Sequence, residues 1–118
     1  MRHFLVAILL SLFGLSLSSQ DNLSGTWKTD KDNTLVKIEK QNDIFIGKAI
    51  SSDDKNIKPG TLMIKNLKLK NGKLEGEIYV PNREQWFDGS FQVQNDKMKI
   101  TVTLAFISKT VVWTKDKK

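Results

Sequence analysis

The chain has 118 residues, one histidine, two prolines and no cysteine, which fits one domain with little left over. From Asp21 onward it carries eighteen Lys/Arg against thirteen Asp/Glu, a net charge of +5, and neither His nor Cys. Once the first residues are removed, that composition excludes a Ser-His-Asp triad, a Cys nucleophile and any zinc site built on His or Cys.

Residues 1–19 are expected to be a cleaved signal peptide. Arg2 and His3 form a short polar start. An apolar run from Phe4 to Leu17 follows, and small residues lead to a cut after Ser18 or Ser19. The run is short for a membrane span, which needs about 20 apolar residues. An uncleaved anchor is the alternative. The remaining domain, 20–118, is expected outside the cytoplasm, in the periplasm or secreted, and not membrane-spanning. Without disulfides, its core alone must hold it.

The rest of the chain reads as strand after strand. Val, Ile, Thr and aromatic residues fall in short runs divided by Asn, Asp and Gly, with no helical spacing. Eight strands are expected, over 23–29, 34–40, 43–50, 61–69, 73–80, 85–94, 97–106 and 110–116. The hairpin at Gln41-Asn42 admits two registers. One sets Val36 and Ile38 against Phe45, Gly47 and Ala49. The polar stretch 51–60 is a solvated loop; Asp53, Asp54 and Asn56 lack the oxygen count of a calcium loop.

Asn71-Gly72 suits a two-residue turn with positive φ. It pairs Leu69 with Leu74, Leu67 with Gly76 and Met63 with Val80, leaving Lys65 opposite Ile78 as the one break in the apolar side. Asn95-Asp96 gives the cleanest hairpin. Val93, Phe91, Gly89 and Phe87 face Met98, Ile100, Val102 and Leu104, while Gln94, Gln92, Ser90 and Asp88 face Lys97, Lys99, Thr101 and Thr103. A one-residue slip would invert every side chain. With Ser108-Lys109 as the last turn, Phe106 meets Val111 and Leu104 meets Trp113. The tail from Lys115 is read as frayed.

Eight antiparallel strands with one apolar face and neighbour-to-neighbour turns predict an all-β, up-and-down barrel. Gly25-Thr26-Trp27 opening the first strand and Trp113-Thr114-Lys115 closing the last resemble lipocalin-type barrels. With Gly47-Lys48-Ala49-Ile50 and Gly76-Glu77-Ile78-Tyr79-Val80-Pro81 added, the chain resembles a family of short secreted bacterial proteins, domain of unknown function 2147 (DUF2147). It departs from that pattern at Val80, at Arg83-Glu84-Gln85-Trp86 and at Thr101-Val102-Thr103. The resemblance implies a lipocalin-like barrel outside the cytoplasm. It supplies no ligand and no reaction.

The candidate ligand contacts are the inward side chains Phe45, Ile78, Phe87, Phe91, Ile100, Val102 and Val111. Gly25, Trp27, Trp113 and Lys115 are expected at the barrel floor. No catalytic residue, metal or cofactor is expected: Glu75, Glu77 and Glu84 read as exposed, with no burial to raise a pKa. Two readings follow. In one, a non-enzymatic barrel binds a small, mostly apolar molecule. In the other, a filled barrel is an envelope or surface interaction module working through Trp86, Tyr79 and lysines. The basic surplus suits an anionic envelope surface. Nucleic acid is not expected, since arginine is almost absent and the lysines point to both faces. Oligomeric state is left open.

Overall fold

A computed structural model describes residues 23–116. The expected leader, and with it the 1–19 boundary, lies outside the described residues. Eight strands follow one another: β1 Gly25–Lys28, β2 Leu35–Gln41, β3 Ile44–Ser51, β4 Leu62–Lys70, β5 Lys73–Val80, β6 Gln85–Gln94, β7 Lys97–Leu104 and β8 Ile107–Lys115. Each pairs antiparallel with its neighbour, and β1 pairs with β8 to close a barrel.

Alternation places the apolar side chains inside, as Trp27, Val36, Ile38, Ile64, Leu67, Met98 and Ile100 are fully or almost fully buried. The β2–β3 hairpin takes the register that sets Val36 against Ala49, Ile38 against Gly47 and Lys40 against Phe45. The β6–β7 ladder holds as expected from Gln94–Lys97 to Gly89–Val102. The two outer rungs expected beyond it, at Asp88–Thr103 and Phe87–Leu104, are not among its pairs.

Two registers are corrected. In the β4–β5 hairpin, Leu69 faces Leu74 as expected, but a bulge between Lys65 and Lys68 shifts the rest by one. Asn66 takes a φ of 55° within it. Ile64 then faces Ile78, and Lys65 faces Glu77 on the outside. The bulge thus removes the polar break that an unbroken ladder would have put inside. It also brings the β4 backbone close to β5, where a Cβ on Gly76 would stand 2.8 Å from Leu67 Cα.

The last turn is Ala105-Phe106, not Ser108-Lys109. Leu104 faces Ile107, Val102 faces Lys109, Ile100 faces Val111 and Met98 faces Trp113. The six-residue change in register is even, so Val111 and Trp113 still face inward. Phe106 stands wholly exposed at the tip (101 %). The tail is not frayed at Lys115 and Asp116: the Lys115 N–H donates to Asp96 O at 2.8 Å and the Asp116 N–H to Thr26 O at 2.9 Å.

Candidate functional site

The two ends of the barrel differ. At one end the start of β1 and the end of β8 meet the β2–β3, β4–β5 and β6–β7 turns, and the interior is filled around Trp27. Trp27 is fully buried and its indole N–H donates to Leu23 O at 2.8 Å. The Lys115 ammonium lies 4.8 Å from the Trp27 ring centroid and donates to Ser24 O at 2.7 Å. Gly25 leaves room for that side chain, since a Cβ there would stand 3.0 Å from Lys115 Cε. Gly25, Trp27 and Lys115 therefore form one cluster, whereas Trp113, expected at the floor with them, is buried and lines the cavity that opens at the other end.

The other end is half covered. The β1–β2 loop and the β3–β4 loop lean on each other and form the cover. Asp53 N–H donates to Asp32 O, Asn33 Nδ2 donates to Asp53 Oδ2 at 2.7 Å, and the Thr34 and Ser52 hydroxyls share a hydrogen bond at 2.7 Å. Asp54 Oδ1 accepts the Asn56 N–H at 2.9 Å. Far from being only a solvated spacer, the 51–60 stretch buries Ile57 as part of the core. Its polar groups satisfy the loop backbone, and among the described residues no group of three His, Cys, Asp or Glu gathers as a metal site would require.

The β5–β6 and β7–β8 turns are short, so the other half of this end stays open. There a cavity of about 500 Å³ reaches into the barrel. Its wall is apolar, with Ile57, Met63, Ile78, Val102, Val111 and Trp113 contributing. Volume and lining fit a small-molecule site. Its rim carries Asp30, Lys31, Asp32 and Asp54 on the covered side and Arg83 and Lys109 on the open side. The wall also parts sideways. The β1–β8 pairing covers only Trp27–Lys115 and Lys28–Thr114, so β8 runs on to Ile107 without a partner strand on that side.

Residues 25–115 of this barrel match the model of a family described as "Uncharacterized protein conserved in bacteria (DUF2147)". The chain belongs to this family. No curated protein matches it. The closed eight-strand barrel of this DUF2147 domain is consistent with the lipocalin-like architecture that the Gly25-Thr26-Trp27 and Trp113-Thr114-Lys115 motifs imply.

The seven expected ligand contacts divide. Ile78, Val102 and Val111 line the cavity. Phe45, Phe91 and Ile100 do not border it; they are buried in the packed part of the interior. Phe87 faces Ile78 on β5 and packs, half-buried, against the core without reaching the cavity wall. Filled and open segments therefore coexist in one barrel. Ile57, Met63, Ile107 and the rim cations were not expected at the cavity. Met63 arrives there because a second irregularity between Gly47 and Lys48 puts it on the inside beside Ile64.

Two other depressions are of similar size. One, about 430 Å³, lies at the β4–β5 hairpin tip and mixes inward Leu69, Leu74 and Phe91 with outward Gln92, Lys99 and Thr101. The other, about 530 Å³, is a polar groove over Gly76 and Gly89 lined by Lys68, Glu75, Glu77 and Asp88. The first touches the core residues Leu74 and Phe91 but has a lining about as polar as apolar, and the second is mainly polar. On the outer wall Tyr79 faces Trp86, ring centroids 5.5 Å apart, and the Lys65 ammonium lies 4.2 Å over the Trp86 ring.

Proposed function

We propose that this DUF2147 domain is a non-enzymatic carrier or receptor that works outside the cytoplasm and holds one small, mostly apolar molecule in the mouth of its barrel. The observation that carries this reading is the cavity of about 500 Å³ walled by Ile57, Met63, Ile78, Val102, Val111 and Trp113. Removing apolar area from water is worth about 25 cal/mol per Å², offset by the cost of immobilising the ligand, so modest affinity is expected. An apolar fluorescent probe should bind the folded domain saturably, at about one site per chain. Val111→Trp fills the cavity and should abolish that binding while the domain still melts cooperatively. Non-saturable binding, or binding that survives Val111→Trp, would refute the reading.

The filled-barrel alternative, with Trp86, Tyr79 and the lysines as the working surface, meets a specific obstacle. One face of the Trp86 ring is already covered by Lys65, and Tyr79 is tilted against that ring. A cation over an exposed indole gains about 0.5–1 kcal/mol, which a partner stacking on that face would have to replace.

The location outside the cytoplasm rests on the polar start, apolar run and small residues of the first nineteen positions. Mass spectrometry of exported protein should find a chain beginning at Ser19, Gln20 or Asp21. Finding intact Met1 in the exported fraction would restore the anchor.

A further inference from the structure

The inward faces of β7 and β8 are apolar at Met98, Ile100, Val102, Leu104, Ile107, Val111 and Trp113, with one exception at the cavity. Lys109 takes an inward register position, opposite Val102, and borders the cavity between Ile107 and Val111. A lysine there lays its methylene stem along the apolar wall and carries its ammonium to the rim. Arg83, on the turn after β5, borders the cavity on the same open side. Neither cation makes a side-chain hydrogen bond or ion pair with any other described residue.

From this geometry we infer that the cavity selects amphiphiles with an anionic head, a carboxylate or a similarly small anion. The apolar body lies against Val102, Val111 and Ile78, and the head is held at the rim by Lys109 and Arg83. The inference rests on the apolar-cavity reading above and adds the class of ligand.

The rim acids do not cancel this choice. Asp54 already accepts the Asn56 N–H. Asp30 and Asp32 belong to the covering β1–β2 loop, where Lys31 stands between them in the chain, whereas Lys109 rises from the wall strand β8. Only Lys109 is a charged side chain on a strand of the cavity wall itself, where a ligand's apolar body ends and its head begins. The guanidinium adds a planar fork that fits a carboxylate. The net charge of +5 from Asp21 onward favours the approach of an anion over a cation.

The test compares three ligands of one chain length as competitors for the bound apolar probe: dodecanoate, dodecanol and dodecyltrimethylammonium. Dodecanoate should displace the probe about fivefold better than dodecanol, the scale of an exposed ion pair. Dodecyltrimethylammonium should be the weakest of the three. Raising the salt should shrink the carboxylate's advantage by screening. Lys109→Met keeps the stem and should bring dodecanoate and dodecanol close to parity. Lys99→Met, on the outer face of β7, should leave the preference intact. A melting curve for each variant separates lost selectivity from lost fold. Equal displacement by all three ligands, tightest binding of the ammonium, or a preference that survives Lys109→Met would overturn the head-group inference alone. So would a bound probe that none of the three displaces. If the probe itself does not bind, the cavity reading fails first and this inference falls with it.

Discussion

Replacing Phe91 by Asp is expected to unfold the domain, whereas Asp at the next position, Gln92→Asp, should leave its melting curve nearly unchanged. Phe91 is 4 % exposed and sits between Leu74 of β5 and Ile100 of β7 on the inner face. Losing a buried Phe costs about 3–5 kcal/mol through lost contacts and the void left behind. Burying a carboxylate without a partner adds several kcal/mol more, or forces the group to take up a proton. Together these rival the whole stability of a typical domain, about 5–15 kcal/mol. Gln92 lies one residue on, exposed, opposite Lys99, so an acid there meets water and a nearby cation. Urea titrations followed by circular dichroism check the contrast. Similar midpoints for the two variants would mean that Phe91 and Gln92 are not on opposite faces of β6.

That contrast is legible in the sequence because β6 and β7 alternate cleanly and Asn95 supplies a turn residue that tolerates positive φ, here 58°. The same holds at Asn42 and Asn71, with φ of 57° and 54°. The β7–β8 hairpin has no such signal. Its turn places Ala105 at a φ of 49°, a region that costs an ordinary L-residue about 1–2 kcal/mol. Composition therefore points instead to the polar pair Ser108-Lys109. The error conceals the cavity's one charged wall residue, since Lys109 then reads as turn rather than wall. At Asn66 the sequence holds a hint in hindsight: the ladder expected there put a lysine inside, and a bulge is the cheapest way to turn it out.

The candidate site is legible only in part for a different reason. Period-two patterning says which side chains face inward, and Ile78, Val102 and Val111 follow from it. It does not say how deep along the barrel axis each lies. Phe45, Phe91 and Ile100 face inward equally well and are buried, yet they do not border the cavity at the mouth. Depth depends on strand stagger, on the two irregularities of β4 and on the cover made by two loops, and each arises from contacts distant in sequence. Ile57 shows the limit plainly, as an apolar residue inside a polar loop that reads as solvated until the loop is seen folded over the end of the barrel.

At the packed end, Trp27→Ala should be the costliest truncation in the domain, at about 3–5 kcal/mol. The indole is wholly buried, and three separate elements lean on it. Its N–H satisfies Leu23 O, its ring face carries the Lys115 ammonium, and its backbone pairs with both β2 and β8 at the seam that closes the barrel. Truncation leaves a void, an unpaired carbonyl and a lysine without its ring. For a domain near 100 residues, each kcal/mol lowers the melting temperature by about 4–8 °C, so the variant should melt well over 10 °C early. Two companions apportion the loss. Trp27→Phe keeps an aromatic face for Lys115 but drops the N–H, and should cost about half as much. Lys115→Met keeps most of the stem but removes the ammonium, and should cost about 1 kcal/mol, the scale of a surface cation–π contact. The seam between β1 and β8 has only two paired rungs, so lost packing there should also speed unfolding. If Lys115→Met proves as damaging as Trp27→Ala, the closed end is held by charge rather than by packing, and the order of importance assigned to these side chains is reversed.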